Sequence, residues 1–219
     1  QYDPENKDAV VPDMIKAIGY YQLSAEKNYG PALVNLGSMY ENGGFFEQNF
    51  EKAFQYFKRA ADQNFVTGQN ALALMYITGR GTPKNIQKAI ELLEPLAIIK
   101  NDLNAQRRLA YIFKNEQEFL NLFKARKYFA LAIENGAEIS FAIELAVMLF
   151  NGEGGEKDFE GAYGLFKQAA LYDHSGDALY FMGIMHHHGA GVEKSEEMAL
   201  LFFRESAALG NRNAISVLQ

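Results

Sequence analysis

The chain has no cysteine. That excludes disulfides, thiolate metal sites and a cysteine nucleophile. It leaves the compartment unmarked, because a reducing and an oxidising environment both fit; cytoplasm and bacterial periplasm stay open. No apolar run approaches the roughly 20 residues of a membrane-spanning helix, so no membrane insertion is expected. A basic excess is also missing. Lys and Arg number 21 against 27 Asp and Glu, for a net charge of −6, which argues against a nucleic-acid binder with a basic stripe. The first residues, Gln1 to Asp8, are polar and lack the apolar stretch of a secretory signal. No Ser sits in a strand–turn–helix elbow and no isolated carboxylate pair lies in an apolar run. No catalytic, cofactor or metal site is expected. Apolar residues are plentiful at 48%, so the chain can bury a core and general disorder is not expected.

What the 219 residues do contain is a repeat. Ala32, Gly68, Ala105, Phe141, Ala178 and Ala214 recur at spacings of 36, 37, 36, 37 and 36. Four residues after each comes Leu36, Leu72, Leu109, Leu145, Met182 or Leu218. In the five full units a small residue follows: Gly37, Ala73, Ala110, Ala146, Gly183. A second column holds Ala53, Ala89, Ala125, Ala162 and Ala199, each followed four residues later by Phe57, Leu93, Phe129, Phe166 or Phe203. Spacings of three and four put these residues on one face of a helix. Each unit therefore reads as two helices in a hairpin. Gly or Ala at the crossing permits the near end of the 8–10 Å interaxial range. One hairpin cannot bury its apolar face alone, so neighbours must stack.

Glycines mark the corners within the hairpins: Gly43-Gly44, Gly79 and Gly81, Gly152 to Gly155, Gly189 and Gly191. Asn49, Asn85, Asp158 and Ser195 are N-cap types that restart the chain. The spacing predicts first helices near 31–42, 67–78, 104–115, 140–151, 177–188 and 212–219. Second helices are predicted near 13–27, 50–62, 86–100, 122–134, 159–171 and 195–208. A polar segment, 1–12, precedes a single repeat domain, 13–219. The domain comprises a half unit at 13–29, full units near 30–65, 66–102, 103–137, 138–174 and 175–210, and a half unit at 211–219. The half units suit either a segment of a longer array or an array capped by them. The third unit departs most, with no Gly in the turn Glu116-Gln117-Glu118-Phe119. Pro95, in the helix before it, is expected to bend or interrupt that helix.

The run Ala32…Leu36-Gly37…Tyr40…Gly43, then Lys52-Ala53…Phe57…Ala60-Ala61, resembles the Sel1-like repeat, a relative of the tetratricopeptide repeat. The same pattern returns as Ala178…Met182-Gly183…His186…Gly189-Ala190-Gly191-Val192, then Ala199…Phe203…Ser206-Ala207…Gly210. The resemblance covers nearly all of the chain after residue 12. It implies an all-α solenoid, a right-handed superhelix of antiparallel helix pairs with the first helices on the concave side. It also implies a non-catalytic adaptor or scaffold that binds proteins. The second function class is an immunity or inhibitor protein that neutralises one enzyme or toxin. That class differs by making one interface of standard size or larger.

Two motifs have plainer readings than they first suggest. G-x-G-x-x-K occurs at Gly79…Lys84, Gly152…Lys157 and Gly189…Lys194, but a helix rather than a strand precedes each, so helix-stop turns are expected, not phosphate loops. His186-His187-His188 cannot all chelate one ion, because adjacent helical residues point in different directions. His186 also occupies the Tyr column, where packing is expected. The candidate site is the inner stripe of the first helices: Val34, Ser38, Glu41; Asn70, Leu74, Ile77; Arg107, Tyr111, Lys114; Ile143, Val147, Phe150; Tyr180, Ile184, His187. The residues singled out as partner-binding are Arg107, Arg108, Tyr111, Lys114, Ile143, Val147, Phe150, Tyr180, Ile184 and His187. Core positions seldom take Arg or Lys, and Arg and aromatics anchor interfaces. The expected partner is a protein segment with acidic and apolar groups, held by a monomer. Glu134, Glu138 and Glu144 read as ordinary surface charges.

Overall fold

The computed structural model describes the backbone from residue 7 and the side chains from residue 15, both to residue 219. It forms two compact units, one up to Lys100 and one from Asn101 onward. The first unit comprises α1 (Lys7–Glu26), α2 (Gly30–Asn42), α3 (Phe50–Asp62), α4 (Val66–Thr78) and α5 (Ile86–Ile99). The second comprises α6 (Leu103–Asn115), a short 3-10 turn (Gln117–Phe119), α7 (Leu122–Glu134), α8 (Ile139–Asn151), α9 (Phe159–Asp173), α10 (Gly176–His188), α11 (Glu196–Ala208) and α12 (Arg212–Val217). There is no strand among the described residues. Within each unit consecutive helices pack in chain order, as in an α-solenoid.

The two columns form the core of each hairpin. Ala53, Phe57, Ala89, Leu93, Ala125, Phe129, Ala162, Phe166, Ala199 and Phe203 are all buried, as are Leu36, Leu72, Leu109, Leu145 and Met182. The small residue has a direct steric cause. A Cβ on Gly37 would come within 2.6 Å of the Phe57 ring, and one on Gly183 within 2.6 Å of the Phe203 ring. In these two hairpins the aromatic ring of the second helix occupies the space a side chain on the first would need, so only glycine fits there.

Each hairpin corner is closed in the same way. The N-cap residue of the second helix turns its side chain onto the amide three residues on: Asn49 on Lys52 (2.8 Å), Asn85 on Lys88 (2.9 Å), Asn121 on Lys124 (3.0 Å), Asp158 on Gly161 (2.8 Å), Ser195 on Met198 (3.2 Å). The same residue's own N–H donates back to the first helix, at the carbonyl of Tyr40, Tyr76, Phe113, Leu149 or His186, over 2.8–2.9 Å. The Tyr column is thus a backbone acceptor column, which is why it tolerates Phe, Leu and His.

The G-x-G turns divide two tasks. Gly79 ends α4 in the left-handed conformation (φ 71°, ψ 22°). Gly81 lies against the carbonyl of Phe50 at the start of the preceding second helix, where any Cβ would collide with backbone. Gly154 meets Leu122, and Gly191 meets Phe159, in the same way. The second glycine therefore docks each corner on the hairpin before it. The Gly-less corner after α6 is made instead by the 3-10 turn.

The expected start of α1 is corrected, and of the two effects expected of Pro95 the interruption is not found. α1 begins at Lys7 and not near 13; Lys7, Asp8 and Ala9 are residues a helix accepts, so polarity did not mark its start. The expected polar segment 1–12 is therefore helical from Lys7, and its first six residues lie outside the described residues. Pro95 does not interrupt α5, which runs through it to Ile99. It stands on the exposed side near the helix end, where water can satisfy the Glu91 carbonyl that lacks an N–H partner.

Candidate functional site

All ten residues singled out as partner-binding fall in the second unit, on α6, α8 and α10. On α6, Arg107, Tyr111 and Lys114 share one face by their spacing of four and three. Tyr111 is 36% exposed, and its ring makes edge contacts with Phe129 and Phe141, both with centroids at 5.3 Å. The Arg107 guanidinium lies 5.1 Å above the Phe141 ring and pairs with Glu138 at 3.1 Å. Lys114 pairs with Glu144 and lies 5.8 Å from the Phe129 ring. Burial, then the nearby Glu144 carboxylate, raises the Tyr111 phenol above its usual range. Asn104, Arg107, Arg108, Tyr111 and Phe141 line a cleft of about 220 Å³.

The arrangement is an aromatic residue flanked along its helix by two ion pairs. Glu138 and Glu144, read from the sequence as ordinary surface charges, are the partners of Arg107 and Lys114. Phe141 was also missed. The signal was visible, since it is the one large residue in a column otherwise held by Ala and Gly.

Further along, Ile143, Val147 and Phe150 on α8, and Tyr180 and Ile184 on α10, are half-buried. Phe150 and Tyr180 pack on neighbouring rings and, like the other three, keep an exposed edge. Phe150 meets Phe181 at 5.8 Å and Phe159 at 5.5 Å. Tyr180 meets Phe181 and Phe203, each at 5.8 Å. His187 is exposed, and its Nδ1 donates to Glu196 Oε2 at 2.8 Å. That hydrogen bond holds the Glu196 carboxyl below its usual range. His186 packs on Phe202 with ring centroids 5.5 Å apart. Its Nδ1 donates to the Glu193 carbonyl (3.1 Å), which leaves Nε2 to accept from the Tyr163 hydroxyl (3.1 Å). The three histidines therefore have three different settings, and among the described residues no group of three His, Asp or Glu is placed to hold a metal ion. In the first unit the stripes are half-buried except for Asn70, which is buried.

The Sel1 repeat model matches residues 7–29, 30–65, 66–97, 103–136, 140–171 and 176–211. The chain belongs to the Sel1 repeat family. Among solved structures, this Sel1 repeat chain is similar to c5321, a protective antigen of uropathogenic Escherichia coli strains with an SLR fold. The two are 25% identical with a TM-score of 0.76, over 90% of this chain and 42% of that one. The chain thus spans less than half of that relative's length. It is also similar to a Sel1 repeat protein of Oxalobacter formigenes, at 26% identity and a TM-score of 0.72, over 94% of this chain and 86% of the other. No curated protein matches it in sequence. Sel1 repeats are tetratricopeptide-related helical hairpins that generally serve protein–protein interaction and scaffolding, and they are typically non-catalytic.

Proposed function

We propose that this Sel1 repeat chain is a non-catalytic adaptor that holds a segment of a partner protein along the first-helix face of α6, α8 and α10. The observation that carries the reading is Tyr111, partly exposed on a face it shares with Arg107 and Lys114. Aromatic and Arg residues of this kind are the usual anchors of interfaces. The half-buried apolar groups Phe150, Tyr180 and Ile184 extend the same stripe. The partner has carboxylates that meet Arg107, Arg108 and Lys114, competing with Glu138 and Glu144 for the first and last, and apolar side chains that meet Phe150 and Tyr180. Partly exposed ion pairs such as Arg107–Glu138 are worth only about 0–1 kcal/mol, so an incoming carboxylate can displace one at small cost.

The test is capture of partner by immobilised protein. Arg107→Glu with Lys114→Glu weakens capture at least tenfold while the thermal unfolding midpoint stays within a few degrees. Glu138→Gln strengthens it, because it frees Arg107 from its internal competitor. Unchanged capture by the double variant removes the proposal.

A further inference from the structure

A second surface lies on the second helices. Tyr163, Lys167, Ala170 and Leu171 follow one face of α9, with His174 just past its end; Phe202, Glu205 and Ala208 lie on α11, with Leu209 just past its end. Between these two walls is a trough of about 500 Å³, with Leu179 and Met182 of α10 at its floor. That volume is within the roughly 300–1,000 Å³ of clefts that hold ligands. None of the first-helix stripe residues lines it. The trough is apolar and open: Leu171 is 65% exposed and Leu209 52%, whereas isolated exposed apolar residues, not clustered ones, are the norm on a surface.

The charges of the two surfaces differ in kind. Arg107 and Lys114 on the first-helix stripe are each paired with a glutamate of the same unit. Lys167 on the α9 wall and Glu205 on the α11 wall have no ion pair among the described residues. The trough therefore presents an apolar floor, an available cation on one side and an available anion on the other. Both walls are helices whose backbone groups are already bonded within the helix, so they offer nothing to the backbone of a guest. An extended guest would bury its own N–H and C=O groups without partners, whereas a helical guest brings them already satisfied. Tyr163 to Asp173 spans eleven residues of α9, or about 15 Å of trough at 1.5 Å per residue, enough for about three turns of guest helix.

We propose that the α9–α11 trough is a docking site for an amphipathic helix of a partner protein. The guest has apolar residues at i, i+3, i+4 and i+7 facing Leu179 and Met182, an acidic residue toward Lys167 and a basic residue toward Glu205.

The probe is an 18-residue, lactam-constrained helical peptide with a Leu face, Glu on one flank, Lys on the other and one Trp. The protein has no Trp, so the peptide's fluorescence reports alone. The peptide is expected to bind the full chain, and Leu171→Asp is expected to abolish binding while helical circular dichroism is retained. A twin peptide with its flank charges exchanged should bind about tenfold more weakly, the scale of two exposed ion pairs. Lys167→Glu with Glu205→Lys should reverse that preference. Binding of neither peptide, equal binding of both, or binding that survives Leu171→Asp overturns the proposal. So does a concentration-dependent dimer that Leu171→Asp dissolves, since the trough would then hold a second copy of the chain.

Discussion

Single glycines separate two costs that are usually measured together. Gly81 and Gly136 both have positive φ, at 66° and 82°. A Cβ at Gly81 collides with the Phe50 carbonyl, whereas one at Gly136 meets nothing within 4 Å. Gly136→Ala should therefore cost only the left-handed backbone term, about 1–2 kcal/mol. Gly81→Ala should cost about 1–3 kcal/mol more, the range for overpacking. Urea unfolding of the two variants checks the difference. Tyr111 supplies a second test at this scale. Its phenol is held above the ordinary value by burial first and Glu144 second. The neutral form is thus the one the folded state favours. This contribution is complete below the ordinary phenol pKa and is lost as pH rises through the raised value. In an alkaline absorbance titration, Glu144→Gln should bring Tyr111 back part of the way toward the ordinary range, and Tyr111→Phe should remove that transition. The repeating small and large columns made these packing positions legible, because steric need leaves the same residue type at the same place in every unit. The pairing of Glu138 and Glu144 with the site was not legible. A carboxylate about 30 residues from a cation in sequence gives no local sign that helix stacking brings the two together.

At the scale of the element, the helices were readable to within a residue or two wherever a cap residue marks the start. Asn49, Asn85, Asp158 and Ser195 all cap as the sequence suggested. Asn121 does the same in the Gly-less unit. The stops after the second helices were less visible. Asn28, Asn64, Asn101 and His174 adopt positive φ in the role that Gly136 and Gly210 fill elsewhere, and Asn is the residue other than Gly that takes this conformation most readily. One of these stops, Asn101, joins Asn135 at the end of α7 in a network the sequence did not suggest. Asn101 and Asn135 exchange side-chain hydrogen bonds of 2.6 and 2.7 Å. Gln106, 0% exposed, donates to Asn101 (2.9 Å) and accepts from Asn135 (2.7 Å). This ring of amides ties the start of α6 to the end of α7. Asn135→Ala should destabilise the chain by about 1–3 kcal/mol, the cost of stripping a buried amide of a partner. Asn135→Asp should cost at least as much, since a carboxylate cannot donate to Gln106. Denaturant midpoints of the two variants are the measurement.

For the whole molecule, nearest-neighbour packing makes stability close to a sum of local contributions. Within the second unit the α6–α7 and α10–α11 hairpins are separated by α8–α9. Asn135→Ala combined with Ser195→Ala, which removes the α11 cap at about 1 kcal/mol, should therefore give the sum of the single effects to within about 0.5 kcal/mol. A shortfall or excess beyond that in a urea double-mutant cycle would mean that the hairpins communicate through the one between them. The two kinds of corner have unequal freedom to change. Corners of the Gly81, Gly154 and Gly191 kind are seams, pressed onto backbone of the previous hairpin, and a residue added there must prise two neighbours apart. Corners of the Gly136 and Gly210 kind face open space. A short loop or tag can be spliced at the open corners without touching a seam, whereas a whole extra hairpin at Gly136 would part Gly154 from Leu122, so the chain carries its own marks for where it can be lengthened.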